Sequence, residues 1–340
     1  MKKLRIFLPL VLVVALVAPV FADTAPYKFI VTGDSRGDDG GINGPIVAEM
    51  VPAIIAEAPD LVVVSGDLVD NGILGELPVW VDAFMKPLQD AGIAVLACRG
   101  NHDGPVAGWN AAFTGPYAFP GNGPMGEENL TYSFVHKTSK FISLDQYVSY
   151  ERVNQAWLDG ELSGMDLPPH VFVFGHMPAF KVDHDSCLAA YPVERDTFWN
   201  SLGAAGCVAY FCGHDHFYNH SRVMDAGGRW VHQYVVGTAG APLYNWSPPY
   251  ADPRVEGVSH YKNYGYLVVD INGLDATLTF KERTAPGVFT ATTDTFTYTA
   301  PARGEAVPAV THWGLVALVL LLLVALLGGF SLLGVPAPAK

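Results

Sequence analysis

Five short apolar segments of this 340-residue chain end in a glycine followed by polar side chains that could bind a metal ion. The segments read YKFIVTGD (27–34), LVVVSGD (61–67), IAVLACRGNHD (93–103), HVFVFGH (170–176) and CVAYFCGH (207–214). The polar side chains at or just after these ends are Asp34, Asp67, Asn101, His102, Asp103, His176, His214 and His216. Carboxylates, an amide oxygen and neutral imidazoles together suit transition metals such as Zn, Fe, Mn or Co.

The segments that carry these side chains have the length and the Val, Ile and Phe content of buried β-strands. Helix-like stretches, residues 42–58 and 76–92, separate the first three of them. This alternation predicts a largely parallel sheet with helices on its faces. Because ligands collect at the carboxyl ends of the strands in such sheets, the five polar groups should meet at one edge.

Carboxylates crowded at such an edge repel one another, and burial would force some of them to take up protons. A multivalent cation removes this conflict. Calcium or magnesium alone fits poorly, because those ions prefer oxygen and the set is rich in histidine. No cysteine lies at the glycine-ended positions, so a closed zinc site of the thiolate kind does not fit either.

The motifs GDSR (33–36), GDLVD (66–70), GNHD (100–103), GHMP (175–178) and GHDH (213–216) resemble those of the calcineurin-like metallophosphoesterase superfamily. Downstream, GTAGAPLY (237–244) and HYKNYGYLVVDING (260–273) resemble its purple-acid-phosphatase-like branch. The resemblance covers roughly residues 27–285. It implies an α/β fold, a four-layer α/β/β/α sandwich that carries two metal ions.

The resemblance also assigns the ligands of the two ions, which would be divalent or trivalent Fe, Zn, Mn or Co. Asp67 would bridge both ions. Asp34 and His216 would bind the first ion. The second ion would be bound by Asn101, His176 and His214.

The same resemblance implies how a phosphate ester would react at this centre. A metal-activated hydroxide would attack phosphorus, with no serine or cysteine nucleophile. His102 would contact the substrate, and would protonate the leaving group or stabilise charge on the phosphate. Asp103 would orient His102.

Two positions depart from the family pattern. Arg36 stands where most members have a histidine ligand, and a guanidinium, which stays protonated, cannot bind a metal. Asp70 stands where purple acid phosphatases have a tyrosine. Asp70 or water would then complete the first ion's ligands. Arg36 would either bind substrate phosphate through two hydrogen bonds or pair with Asp38 or Asp39.

These observations favour hydrolysis of phosphate esters, with a slight preference for monoesters from the purple-acid-phosphatase-like half. One alternative is a phosphodiesterase acting on nucleotides or phospholipid headgroups. Another is a surface binding protein that keeps the fold without turnover. Arg36 favours that last reading, and the intact His102 argues against it.

Both ends of the chain carry apolar stretches. Residues 1–22 combine a basic start with an apolar run and a small residue, Ala22, which predicts a signal peptide cut after Ala22, with an uncleaved anchor helix as the alternative. Residues 314–335 are uncharged and long enough to cross a bilayer. We therefore expect a catalytic domain over 23–299, a linker over 300–311 and a transmembrane sorting tail over 312–340. The protein would be exported and anchored at the cell envelope or extracytoplasmic surface.

Composition limits the partners. The formal net charge of −13 argues against nonspecific nucleic-acid binding, which requires many cationic side chains. The four cysteines are compatible with an oxidising compartment, and the sequence leaves open whether Cys187 and Cys207 form a disulfide. Nothing in the sequence indicates an oligomeric state.

Overall fold

Two β-sheets form the centre of the protein, which is described here by a computed structural model over residues 24–164 and 167–301. The predicted signal peptide 1–22, nearly all of the linker 300–311 and the tail 312–340 lie outside the described residues. Within the two described ranges, no helix combines the length and the apolar character that crossing a membrane requires.

The described residues form fifteen strands and six α-helices. The strands are β1 (Tyr27–Thr32), β2 (Arg36–Gly37), β3 (Gly41–Ile42), β4 (Leu61–Val64), β5 (Ala94–Ala97), β6 (Tyr132–His136), β7 (Ser139–Ser143), β8 (His170–Phe174), β9 (Ala209–Cys212), β10 (Tyr218–Met224), β11 (Trp230–Val236), β12 (Glu256–Tyr261), β13 (Gly265–Asn272), β14 (Asp275–Ala285) and β15 (Val288–Thr299). The helices are α1 (Gly44–Glu57), α2 (Leu77–Trp80), α3 (Lys86–Asp90), α4 (Val106–Ala112), α5 (Gln155–Glu161) and α6 (Pro192–Ala204). A π-helical turn, Val81–Met85, joins α2 to α3, and 3₁₀ turns cover Gly72–Leu74, Gly115–Tyr117 and Leu188–Ala190.

Both large sheets are mixed, so the prediction of a largely parallel sheet is wrong in that respect. The first has the order β15-β14-β13-β1-β4-β5, with β1, β4 and β5 parallel. The second has the order β12-β10-β11-β9-β8-β7-β6, with β7, β8, β9 and β11 parallel. Helices link β1 to β4 and β4 to β5, whereas two-residue turns link β13, β14 and β15 and force them antiparallel.

The two sheets pack face to face through aromatic side chains. The ring of Phe29 in β1 lies 5.0 Å from that of Phe141, 4.9 Å from Phe172 and 6.1 Å from Phe211, all in the second sheet. All four side chains are buried. Their contacts hold the two sheets, and hence the loops at their edges, in a fixed relation.

Alternate residues of a strand point to opposite faces, so each sheet has one face toward the other sheet and one outer face. Helices cover the outer face. In the first sheet, Thr32 packs on α1, where its Oγ1 lies 3.7 Å from Met50 Sδ. In the second, Tyr210 contacts Phe198 and Trp199 of α6 at ring distances of 5.3 and 6.4 Å. The layers therefore follow the order helix, sheet, sheet, helix.

The cysteine pair left open by the sequence is not joined. Cys187 is a buried thiol whose Sγ lies 3.5 Å from the Asp185 carbonyl, and Cys207 Sγ lies 3.3 Å from the Ala209 carbonyl. Burial raises the pKa of Cys187 to about 11, so its thiol stays protonated near neutral pH.

Candidate metal centre

Sharp turns after β1, β4 and β9 bring the first polar side chains of the two sheets close to one another. Asp34, Asp67 and His214 have φ angles of 60°, 49° and 72°, in the left-handed region that side chains other than glycine rarely adopt. Such conformations persist only where the surrounding structure imposes them, and they concentrate at functional sites. All three residues are buried.

Two glycines allow the chain to approach these carboxylates closely. A Cβ on Gly100 would lie 2.2 Å from Asp67 Oδ1, and one on Gly213 would lie 2.1 Å from Asp34 Oδ2. No side chain fits at either distance. Close approach of the chain therefore requires glycine at these two positions.

One group of ligand atoms surrounds the amide oxygen of Asn101. Asn101 Oδ1 lies 3.0 Å from His176 Nε2 and 3.1 Å from His214 Nδ1, and these two ring nitrogens are 3.2 Å apart. Asp67 Oδ1 is 3.4 Å from His176 Nε2. We call this group, Asp67, Asn101, His176 and His214, the Asn101 position.

The hydrogen bond behind His176 leaves its inward nitrogen without a proton, and the one behind His214 is compatible with the same arrangement. His176 Nδ1 donates to the Ser65 carbonyl at 2.8 Å, so Nε2 of the neutral ring carries a lone pair. His214 Nε2 lies 2.9 Å from Ser186 Oγ, which lets Nε2 carry the proton and frees Nδ1. Burial lowers the pKa of His176, and burial together with the neighbouring His176 lowers the pKa of His214 to about 2.

A second group lies around the carboxylate of Asp34. His216 Nε2 is 3.5 Å from Asp34 Oδ1, and His216 Nδ1 donates to the Pro242 carbonyl at 2.9 Å. Burial and the nearby Arg36 lower the pKa of His216 to about 3. Burial and the adjacent Asp67 raise the pKa of Asp34 well above its usual range. We call this group, Asp34, His216 and Asp67, the Asp34 position.

Both groups fit metal ions. Each brings carboxylate, amide or imidazole acceptor atoms within 3.0–3.5 Å of one another, and a cation among them would offset their mutual repulsion. Ligand atoms of Asp34, Asp67 and His176 all lie within 4.8 Å of one another. The backbone carbonyls of Ser65 and Pro242 orient the two rings, as partners of metal-bound histidines usually do. The structure thus brings together all six predicted ligands.

His102 lies at the edge of this centre. Its backbone N–H donates to Asp67 Oδ1 at 2.9 Å, and its ring Nδ1 donates to the Asp70 carbonyl at 2.7 Å. The side chain is 31% exposed. Since Nδ1 is engaged, Nε2 is the ring atom left to meet a substrate.

Asp103 has a different position from the one expected. Its carboxylate accepts backbone N–H groups at 2.7, 3.2 and 2.6 Å, from Leu68, Val69 and Gly100. Burial and the nearby Asp67 raise the pKa of Asp103 to about 7. Asp103 therefore ties the loop after β4 to the loop after β5, and the Asp70 carbonyl orients the His102 ring instead.

Arg36 pairs with neither Asp38 nor Asp39. Its Nη1 donates to Asp70 Oδ1 at 2.9 Å, and its Nε lies 3.6 Å from Asp67 Oδ2. The carboxylate of Asp70, considered above as an additional metal ligand, is thus engaged by Arg36. A permanent cation therefore borders the Asp34 position.

Two aromatic residues that the sequence did not single out also line the centre. The Tyr244 ring stacks on His216 with centroids 4.3 Å apart, and the Tyr147 hydroxyl lies 3.4 Å from Asn101 Oδ1. Tyr244 belongs to the GTAGAPLY segment, so its motif was noticed but its role was not. Tyr147 follows β7 without a glycine-ended motif, and the sequence offers no signal for it.

His184 also lies beside the Asn101 position. Its Nδ1 is 2.6 Å from Asp215 Oδ1, and its ring is 4.6 Å from the His214 ring. The hydrogen bond to Asp215 raises the pKa of His184. Asp215 is fully buried and accepts the backbone N–H groups of Asp183 and His184, so it holds the loop that carries His184.

Two mixed sheets with cation positions at their shared edge define an α/β fold of the metallophosphoesterase type. The family model for calcineurin-like phosphoesterases matches residues 27–218, more than half of the chain, and the chain belongs to that family. The description of that family is a phosphoesterase, an enzyme that hydrolyses phosphate esters. No curated protein matches the sequence.

Solved structures share the fold at low sequence identity. A purple acid phosphatase from yellow lupin, Lupinus luteus, has a TM-score of 0.64 and 14% identity, covering 82% of this chain and 54% of its own, so this chain spans about half of its length. A dimetal phosphatase from Danio rerio has a TM-score of 0.54 and 13% identity over 81% of this chain and 99% of its own. GAP50, the anchor in the inner membrane complex of Plasmodium, has a TM-score of 0.52 and 16% identity over 81% and 88%.

Proposed function

We propose that the protein is a binuclear metal-dependent phosphoesterase with a preference for phosphate monoesters. One observation carries the proposal: the donor atoms of six predicted ligands, drawn from five distant loops, converge at one place. Two ions bound there would neutralise the phosphate and lower the pKa of a bound water to the neutral range.

The chain's own residues supply the remaining steps. The Asp70 carbonyl holds the His102 ring by Nδ1, so Nε2–H can donate to the oxygen of the departing alcohol. A protonated His102 near the ester also offsets the negative charge that builds up on phosphate oxygen. Arg36, restrained by Asp70, adds a positive charge at the same edge, available to substrate phosphate.

The preference for monoesters is supported by the purple-acid-phosphatase-like motifs and by the fold shared with two phosphatases. The test compares p-nitrophenyl phosphate with bis(p-nitrophenyl) phosphate, using the full chain loaded in turn with Fe, Zn, Mn or Co. We expect the higher kcat/KM with the monoester. A higher value with the bis ester would replace the proposal with the phosphodiesterase alternative, acting on nucleotides or phospholipid headgroups.

The second alternative, a surface binding protein without turnover, is favoured by Arg36 at a position where the family usually has a ligand. The fold shared with an anchor protein of Plasmodium is compatible with it. Hydrolysis of neither ester across pH 4 to 10 by metal-loaded protein would favour this alternative, whereas turnover that depends on added metal would exclude it.

We also propose that the protein is exported and held at a membrane, with a signal peptide over 1–22, a catalytic domain over 23–299, a linker over 300–311 and a membrane tail over 312–340. The uncharged stretch 314–335 supports the tail. The full chain should sediment with membranes, and a chain ending at residue 311 should not. Equal partitioning of the two chains would contradict the anchor.

A further inference from the structure

The two ion positions, taken from the proposed function, differ in their ligands. At the Asn101 position, an amide oxygen, two imidazole nitrogens and Asp67 Oδ1 lie between 3.0 and 3.4 Å from a neighbouring ligand atom. At the Asp34 position, the described ligands are the Asp34 carboxylate, His216 and one oxygen of Asp67. The first group is larger and more tightly assembled.

The two carboxylate oxygens of Asp67 also have different neighbours. Its Oδ1 faces His176 and accepts the His102 N–H at 2.9 Å. Its Oδ2 lies 3.6 Å from Arg36 Nε. The oxygen that remains for the Asp34 position is therefore already next to a cation.

Arg36 is fixed in that place. Its side chain is 18% exposed, and Nη1 is held by Asp70. Its Nε is buried and has no hydrogen-bond partner among the described residues. A guanidinium does not lose its proton in proteins, so this charge persists at every working pH. It repels a metal ion beside it and competes for Asp67 Oδ2.

We propose that Arg36 makes the two positions unequal, so that the Asn101 position fills first and tightly while the Asp34 position fills second and weakly. Part of the positive charge that a tightly bound second ion would provide at the Asp34 position is supplied by the guanidinium. The order in which these residues bind metal can be measured without substrate.

The experiment titrates the metal-free full chain with Mn²⁺, measuring heat and the electron paramagnetic resonance spectrum. In the wild type we expect two dissociation constants that differ by at least about tenfold. The signal at one equivalent should come from isolated ions, and spin coupling should appear only as the second position fills. His214→Ala should remove the tight step, and Asp34→Ala should remove the weak step.

Arg36→Gln should bring the weaker constant at least about fivefold closer to the tighter one, because it removes the competing charge. Arg36→His should tighten it further by adding an imidazole. The matched control is Arg222→Gln, which removes an exposed arginine paired with Glu256 at 2.8 Å and should leave both constants unchanged.

Three results would each overturn the inference. The first is two equal dissociation constants in the wild type, and the second is that His214→Ala loses the weak binding step instead of the tight one. The third is an unchanged weaker constant in folded Arg36→Gln. The wild-type titration decides the first point even if a variant does not fold. Because binding is measured without ester, ordered filling in a protein that hydrolyses nothing would uphold this inference while contradicting the proposed function.

Discussion

At the scale of single residues, Asp67 and His102 have separable roles. Asp67 lies 3.4 Å from His176, within 4.8 Å of Asp34 and 2.9 Å from the His102 N–H, whereas the His102 ring is held by a carbonyl at the edge of the centre. Replacing Asp67 should therefore lower the metal content, whereas replacing His102 should not.

We expect Asp67→Asn to lose activity and much of the bound metal together, since it removes the shared negative charge. His102→Ala should lower kcat by about 10²- to 10⁴-fold while metal content stays unchanged, as for a proton donor that is not a ligand. Elemental analysis and p-nitrophenyl phosphate kinetics on both variants make the comparison. Loss of the ions in His102→Ala would show that the roles are misassigned.

The Asp103 carboxylate stabilises the fold by accepting hydrogen bonds from backbone N–H groups. In Asp103→Asn an amide group replaces one of two oxygens that accept N–H groups. We expect the free energy of unfolding to fall by about 1–3 kcal/mol, because a buried donor loses its acceptor. Urea denaturation measures this. Asp90→Asn, which changes an exposed carboxylate, should have no measurable effect. Similar midpoints for both variants would contradict the role given to Asp103.

At the scale of elements, the turns after β4 and β5 must nest against each other for the ligands to meet. Gly100 lies against Asp67 so closely that a Cβ would be 2.2 Å from its Oδ1 and 2.3 Å from its backbone nitrogen. Neither atom is at the flexible end of a long side chain, so the loop itself would have to move.

We expect Gly100→Ala to weaken metal binding by at least about tenfold and to lower activity in parallel, since a small displacement of ligands is costly in a close-packed site. Gly160→Ala in α5 is the matched control, because no atom lies within 4 Å of its added Cβ. Mn²⁺ titration compares the two. Wild-type affinity in Gly100→Ala would mean that the loops yield without disturbing the ligands.

At the scale of the whole molecule, a buried polar chain links the two sheets away from the metal centre. His232 Nδ1 lies 2.7 Å from His220 Nε2, and His220 Nδ1 lies 3.1 Å from the Asp294 carboxylate of β15. His232 is 4% exposed. Burial and the adjacent His220 lower its pKa from 6.5 to about 3.

Between those two pKa values the unfolded chain binds a proton at His232 that the folded chain does not. Stability from this group is therefore complete above pH 6.5 and is lost as the pH falls toward 3. From pH 7 to pH 5 the loss should be about 2 kcal/mol. In His232→Gln this loss of about 2 kcal/mol in the free energy of unfolding should be absent over the same pH range. Urea denaturation of metal-free protein at each pH measures it. Parallel pH profiles of the two proteins would rule out this linkage.

Much of the site was predictable because its chemistry is local in sequence. Each motif combines a strand, a glycine and a polar side chain within a few residues, and those residue types already specify a strand end, a turn and a metal donor. The structure brings together Asp34, Asp67, Asn101, His176, His214 and His216, and their role as metal ligands stays a prediction. The mixed character of the sheets was not predicted. In the first sheet, strands late in the chain are joined by two-residue turns, and they pair antiparallel with one another and with the parallel strands formed earlier.

The order of residue types along the chain was enough to predict the donor atoms, the strand ends that present them and the family. It could not show that Arg36 pairs with Asp70 beside Asp67 or that Tyr244 stacks on His216. Nor could it show that Asp103 binds backbone N–H groups while the Asp70 carbonyl orients His102. A side chain's partner depends on backbone angles and on which loops meet across two sheets, and residues far apart in sequence set both.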